Sequence, residues 1–189
     1  MQTRTALITT PIGRLRVVAH GNALCELEFV TGGGATGAAA SRAKKKLQNG
    51  AASRPAATDA AGTDPGAGKP RVLGVSHPLM CRLRAYFEGD IAALDDIEVE
   101  PEGTTFERRV WRELRRIKPG KPITYGELAR RAGAPGAARA AGAACGRNPI
   151  AVVIPCHRVV GANGSLTGYG GGIERKRWLL RHEAGPQLL

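Results

Sequence analysis

Residues 154–160 of this 189-residue chain, Ile-Pro-Cys-His-Arg-Val-Val, set one thiol beside an imidazole and a guanidinium, directly after a continuously apolar run from Ile150 to Ile154. Electropositive surroundings lower a thiol's pKa from about 8.5, and the thiolate they favour is a nucleophile. Covalent chemistry at Cys156 is therefore open to this segment. The apolar run reads as a buried strand. Neighbouring side chains on a strand point to opposite faces, so adjacency alone does not make Cys156 and His157 a catalytic pair. As bare chemistry, a buried structural cysteine is the commoner outcome for such a tetrapeptide. The remaining cysteines, Cys25, Cys81 and Cys145, are far apart and form no CxxC pair. Neither a zinc ribbon nor a thioredoxin-type motif fits, so no metal or other cofactor is expected, and in a reducing compartment all four are free thiols.

Two halves must position this segment. Residues 5–30 read as strands, with turns at Thr10-Pro-Ile-Gly13 and His20-Gly-Asn22. From about Thr31 to Pro70 the composition shifts to Gly, Ala, Ser, Thr and Pro with Lys44 to Lys46 and no aromatic residue, which predicts a mobile insertion. Leu79, Leu83, Tyr86 and Phe87 have helical spacing over His77 to Phe87, Gly89-Asp90 ends that helix, and Ile97 to Val99 reads as a last strand. A boundary near Pro101 to Gly103 gives an N-terminal α/β unit over 1–100 and a second unit over 101–189.

The second unit opens on a capping box, Thr104-Thr-Phe-Glu107, followed by the stripe Phe106, Val110, Trp111, Leu114 and Ile117 with arginines opposite. A second box, Thr124-Tyr-Gly-Glu127, starts a short helix to Arg131; Gly133 suits its left-handed end, and Ala134-Pro-Gly136 makes a tight break. Ala137 to Cys145 forms another helix, small-sided apart from Arg139, so the pair has a helix-turn-helix layout.

Charge supports a polyanionic partner. Residues 1–100 hold 12 Lys+Arg against 10 Asp+Glu, whereas residues 101–189 hold 16 against 6, so +10 of the net +12 lies in the second half. A solvated Arg-rich surface is the bland alternative. No segment approaches the roughly 18 apolar residues that span a bilayer, so a soluble protein of the cytoplasm or nucleoid, without membrane contact, is expected.

Beyond Ile154 to Val160, the blocks Thr105 to Trp111, Thr124 to Leu128, Ala138-Arg-Ala140, Arg147-Asn-Pro149, Thr167-Gly-Tyr-Gly-Gly-Gly172 and Trp178-Leu-Leu-Arg-His-Glu183 resemble, in order and spacing, those of the O6-alkylguanine-DNA alkyltransferases. The resemblance covers residues 101–185, with a looser likeness at Thr10 to Gly13 and Leu83 to Gly89. It implies an α+β fold, with a small ribonuclease-H-like sheet domain followed by a mainly helical, winged-helix-like domain bearing the helix-turn-helix. It also implies that Cys156 is the alkyl acceptor, deprotonated through a water by His157, which Glu183 orients. Asn148 would bridge the DNA-reading helix and the cysteine segment; Val159, Tyr169 and Gly170 would line the pocket. Arg139 would fill the gap left by an extruded base, Tyr125 would crowd the target phosphate and donate toward O6, and Ala138, Ala140 and Arg147 would meet DNA in the minor groove. The implied partner is double-stranded DNA bearing O6-alkylguanine, bound by a monomer in a single-turnover transfer.

Cysteine at 156, where non-reactive relatives carry Trp or Ala, favours chemistry over lesion binding alone. No Cys/His set with zinc spacing is visible in the N-terminal half. Rival readings are a lesion sensor that recruits other proteins, a winged-helix regulator, and a Cys-His hydrolase, which would turn over.

Overall fold

The computed structural model describes residues 3–30 and 71–185. The insertion expected over 31–70, with its lysine cluster, lies outside the described residues. β1 (Thr3–Thr10) and β2 (Gly13–His20) pair antiparallel across Pro11-Ile12, with Thr10 opposite Gly13. Gly13 takes φ 110°, a conformation that glycine adopts without a Cβ penalty. β3 (Ala23–Phe29) returns against β2, and the short β4 (Arg71–Val72) lies parallel to β1, giving the order β3-β2-β1-β4. Leu15, Val17 and Ala19 alternate inward, as one buried face of a sheet requires.

Helix α1 (Pro78–Glu88) covers that face. His77 Nδ1 accepts from the Leu79 N–H at 3.3 Å, Pro78 supplies a preset φ, and Gly89 closes the helix at φ 116°. Leu79, Met80, Leu83 and Tyr86 are buried. The segment read as a last strand does not form one. Only Val99 bridges Leu24, through Leu24 N–H to Glu98 O at 2.9 Å and Glu100 N–H to Leu24 O at 3.0 Å. Ile91–Leu94 form a 3-10 turn instead, which brings the chain round before it can extend along the sheet.

Helix α2 (Thr105–Arg115) begins with the expected capping box: Thr104 Oγ1 accepts from Glu107 N–H at 3.3 Å, and Glu107 Oε2 accepts from Thr104 N–H at 2.7 Å. Val110, Trp111, Leu114 and Ile117 are buried, and the Trp111 indole donates to Ala144 O at 2.9 Å. That bond ties α2 to α4 (Ala138–Gly146), which follows α3 (Tyr125–Arg131) across Gly133 at φ 74° and Gly136 at φ 83°. The box at α3 is only half made. Thr124 Oγ1 accepts from Glu127 N–H at 3.2 Å, but the Glu127 carboxylate turns to Arg130 and Arg131, whose guanidinium groups compete with the Thr124 N–H.

The largest correction concerns 150–154. This apolar run is not a strand but a knot of tight turns: Val153 N–H donates to Ala151 O, Ile154 N–H to Ile150 O and Cys156 N–H to Ile154 O. Val152 sits at φ 71°, costly for a β-branched residue, with its side chain 1% exposed. Burial of Ile150, Val152, Val153 and Ile154 makes the run continuously apolar, since every side of the knot faces core. After a 3-10 turn at Cys156–Arg158, β6 (Val159–Val160) pairs parallel with β5 (Ile123–Thr124), and α5 (Ile173–Ala184) closes the chain. Asn163-Gly164 makes a turn just after β6, with Gly161 N–H donating to Ser165 O at 2.9 Å, and no strand follows it among the described residues. One hydrophobic cluster runs from Ala6 to Leu179, so sheet and helices share a core.

Thr104→Ala removes both the cap acceptor and a hydroxyl held by Glu107. The expected loss is about 1 kcal/mol, read as a lowered urea midpoint with an unchanged slope.

Candidate active site

The turn at residues 156–158 delivers three consecutive side chains into the core: Cys156 is 8% exposed, His157 0% and Arg158 7%. A 3-10 turn permits this where a strand would send alternate residues apart. Asn148, just past the end of α4, locks the turn. Its Nδ2 donates to Ile154 O at 2.8 Å and to Cys156 Sγ at 3.3 Å, while its Oδ1 accepts from Ile150 N–H at 3.0 Å.

Behind the thiol lies a buried carboxylate that collects three side chains. Glu183, near the end of α5, accepts from His157 Nε2 at 2.9 Å, from Arg158 Nε and Nη2 at 2.7 and 2.9 Å, and from the Tyr86 hydroxyl of α1 at 2.9 Å. Burial alone would raise the Glu183 carboxyl, but the hydrogen bonds from His157 and Arg158 and the Arg158 charge override it and hold it at about 2. An ionised carboxylate only accepts, so the network assigns the His157 hydrogen to Nε2 and leaves Nδ1 as a bare lone pair. That Nδ1 is buried and has no hydrogen-bond partner among the described residues. Burial also depresses the His157 pKa, keeping the imidazole neutral and able to accept a proton.

The thiol corrects one expectation. Burial, the largest influence, pushes Cys156 above its ordinary value, against the Asn148 hydrogen bond and the Lys176 cation, so neighbouring Arg158 does not ionise it. Arg158 is spent on Glu183 and on Ile117 O. The cation that does act on the sulfur is Lys176 of α5, fully buried, with Nζ donating to Thr167 O at 2.8 Å. Lys176 escaped the sequence reading. Its signal was spacing: Lys176, Leu179 and Glu183 share one helical face at intervals of three and four. Tyr86 was read only as an apolar position of its helix.

Cys156 opens onto a small cavity of about 60 Å³, lined by Leu27 to Phe29 of β3, Cys145, Gly146, Asn148, Ala151, Tyr169, Gly170 and Gly171. At roughly 30 Å³ per water, this has room for about two waters. Tyr169 and Gly170 stand in its wall as expected. Val159 does not: it is fully buried in the pairing with Ile123, because the chain turns inward directly after Arg158. The Tyr169 hydroxyl is buried with no hydrogen-bond partner among the described residues, and Gly171 fits only as glycine, since a Cβ there would lie 2.6 Å from the Phe29 ring. A larger cavity of about 790 Å³ lies beneath Trp178 and His182 of α5, but it holds no cysteine.

Tyr125 sits at the start of α3, its hydroxyl donating to Thr167 O at 3.3 Å and its ring under the Lys176 ammonium at 5.9 Å. On α4, Arg139 and Ala140 are exposed and Ala138 is half-buried, so the arginine rises from a low surface. Arg147, expected at DNA, is instead paired with the buried Glu107, although its side chain remains 54% exposed. A metal-compatible set that sequence spacing did not reveal also emerges. The β2–β3 pairing brings His20 and Cys25 together with Glu100, ligand atoms within 4.8 Å of one another, while His20 Nε2 contacts Thr3 Oγ1 at 2.7 Å.

Fold and site together define a class of α+β protein whose helix-turn-helix leads into a buried, hydrogen-bonded cysteine. Residues 105–185 match the family model "6-O-methylguanine DNA methyltransferase, DNA binding domain". A methylated-DNA--protein-cysteine methyltransferase of Salmonella typhimurium is 57% identical over 102 residues, 54% of this chain and 60% of the relative. The counterpart in Mycobacterium tuberculosis is 56% identical over 102 residues, 54% of this chain and 61% of its own length, so the match spans less than two thirds of these curated relatives. Solved structures extend it: the Mycobacterium tuberculosis O6-methylguanine methyltransferase superposes with TM-score 0.71 at 36% identity, over 97% of this chain and 93% of that one. Mycobacterium tuberculosis OGT in complex with DNA gives 0.69 at 36%, with the same coverages. The chain belongs to the O6-methylguanine DNA methyltransferase family.

Glu183→Gln strands Arg158 beside a neutral amide, with an expected loss of about 3–5 kcal/mol. In the parent protein, the stability that ionised Glu183 contributes is complete above its ordinary value of 4.5 and is lost as pH falls toward about 2. Glu107, also held at about 2, adds to the same acid loss. Urea titrations across this window should show a shallower acid loss in the Gln variant; an unchanged slope would dissociate Glu183 from it.

Proposed function

We propose that this protein repairs DNA by flipping O6-alkylguanine out of the duplex and moving its alkyl group onto Cys156, once per molecule. The observation that carries the reading is the bare Nδ1 of a neutral, buried His157, fixed by Glu183 next to a buried thiol. A water bridging Sγ and Nδ1 relays the thiol proton to Nδ1, leaving an imidazolium paired with Glu183; the thiolate then displaces guanine from the alkyl carbon. The carbon–O6 bond breaks as the carbon–sulfur bond forms, its electrons pass to the guanine, and a proton supplied through Tyr125 toward O6 neutralises the leaving base. Lys176 and Asn148 stabilise the sulfur anion while it exists. A thiol held neutral until its substrate arrives is protected from stray electrophiles. The product is a thioether, and none of the groups around it can cleave a carbon–sulfur bond, which makes the transfer stoichiometric.

Base extrusion follows from geometry, because O6 lies inside a stacked duplex and the sulfur inside a protein. In this reading residues 101–189 dock DNA as a monomer in the minor groove, about 6 Å wide, through α4, whose Ala138, Ala140 and Gly142 allow close approach. Arg139 enters the stack behind the lesion. Residues 1–100 back the site through Tyr86, Leu27 and Phe29. The Tyr169–Gly171 segment must swing aside to admit a purine, since typical ligand pockets run to about 300 Å³ or more. The activity belongs in the cytoplasm or nucleoid, where DNA is, and calls on no cofactor.

Cys156→Ser should abolish transfer of a labelled methyl group from a lesion-bearing duplex while affinity for that duplex stays roughly the same; a variant that keeps transferring removes the acceptor from the scheme. Arg139→Ala should slow repair of duplexes by about tenfold for each 1.4 kcal/mol of unstacking left uncompensated, yet leave the reaction with free O6-benzylguanine nearly intact. Equal losses in both assays would remove Arg139 from base extrusion.

A further inference from the structure

The charge excess of the second half is not concentrated on the helix-turn-helix. Around α3 and α4, Arg130 and Arg131 are paired with Glu127 and Arg147 with Glu107, leaving Arg139 as the cation without a carboxylate partner among the described residues. Residues 105–121 hold more cations than their carboxylates can pair: Arg108, Arg109, Arg112, Arg115, Arg116, Lys118 and Lys121 stand against Glu107, which is taken by Arg147, and Glu113, which pairs with Arg116, while Arg115 donates to Asp95 O at 2.8 Å. At about 100° per residue, the five arginines fall within an arc of about 120°, centred opposite the buried stripe of Val110, Trp111 and Leu114. That stripe packs on the buried side of α4, Ala141 and Ala144. Arg108, Arg112, Arg115 and Arg116 of this face therefore point away from the exposed side of α4, whereas Arg109 lies beside Gly133 of the α3–α4 turn. It borders a groove of about 520 Å³ lined by Arg108, Arg112, Arg115 and Arg116 with Pro101 and Val99 opposite, in which Asp95 is the single acidic residue.

We propose that this α2 face is a second DNA-binding surface, which takes the phosphate backbone of another duplex segment while α4 holds the first. The inference rests on the reading above that α4 docks DNA. Backbone contact by arginine needs no base sequence and no deep pocket, only a run of cations at a spacing a charged strand can follow. Two such faces on opposite sides let the protein pass directly from one duplex segment to the next without a free intermediate. The partner is a duplex rather than an acidic protein because the groove is rimmed by four guanidinium groups at helical spacing, which suits a repeating row of phosphates.

The test follows release of a labelled duplex from the full chain as unlabelled duplex is raised. Direct passage predicts a release rate that climbs in proportion to competitor. The variant Arg108→Ala/Arg112→Ala/Arg116→Ala, altered only at exposed positions and checked for an unchanged melting temperature, should release at a constant rate. It should still bind a single duplex about as tightly at physiological salt, where the Debye length of about 8 Å screens distant charge. Its competitor-driven step should lose roughly 2.7 in salt slope, about 0.9 per contact. A parent release rate independent of competitor overturns the second surface alone. If the triple variant loses its first duplex while Arg139→Ala keeps it, α2 is the primary face and the α4 reading falls as well. Acceleration by polyglutamate as strong as by duplex assigns the face to an acidic protein and also overturns the proposal.

Discussion

A single buried carboxylate sets the terms for this site. Glu183 sits where its helix dipole disfavours negative charge, in a core that disfavours any charge, and it remains ionised because Arg158, His157 and Tyr86 all donate to it. The donors come from two stretches of chain, α1 of the sheet half and the turn that carries the thiol, and Arg158 reaches on to Ile117 O just past the end of α2. The carboxylate thus fixes the imidazole tautomer and ties the sheet to the helices in one arrangement. Loosening any donor leaves a buried charge short of partners, so the network holds its geometry more firmly than apolar packing of the same size would.

From that constraint follows the resting state of the sulfur. With Arg158 consumed, the Cys156 anion is favoured by the Asn148 amide, the buried Lys176 and a backbone hydrogen bond, and burial outweighs them. In the proposed reaction the thiol is therefore a guarded nucleophile, neutral in a cavity of two-water size and ionised as the lesion fills it. Gly171, Phe29 and Tyr169 explain the guarding: they pack tightly enough that only glycine fits between the rings, and the segment they hold closes the cavity.

Elements whose signals are local were legible in the sequence. The Thr104 box, the stripe of α2, the Gly133 and Gly136 breaks and the Gly89 stop each depend on residues within a few positions, and all stand as read. Misreadings came where a local pattern had two physical solutions. A continuous apolar run fits a buried strand and a buried knot equally, and Val152 at positive φ decides for the knot only because its neighbours pin it. Glu127 could cap its helix or pair with Arg130, and the guanidinium prevailed. At the site, Cys156, His157, Asn148 and Glu183 were identified through family resemblance rather than spacing. Tyr86 was missed because its hydroxyl reaches Glu183 across 97 positions, and Lys176 because a lysine on an Arg-rich helix reads as a solvated cation until Thr167 O accepts from it in the core. Val159 was assigned to the pocket although its neighbours already pointed it into the core.

The central claim is that the Cys156 sulfur becomes alkylated and stays so. It is tested most directly by intact-mass analysis of the purified full chain after exposure to excess duplex carrying O6-methylguanine, followed by peptide mapping. The account predicts that each molecule gains one methyl group in place of one hydrogen, on the peptide containing Cys156, and gains no more however much substrate is added. An unchanged mass despite loss of the lesion, or a methyl group mapped to Cys145 instead, would contradict it.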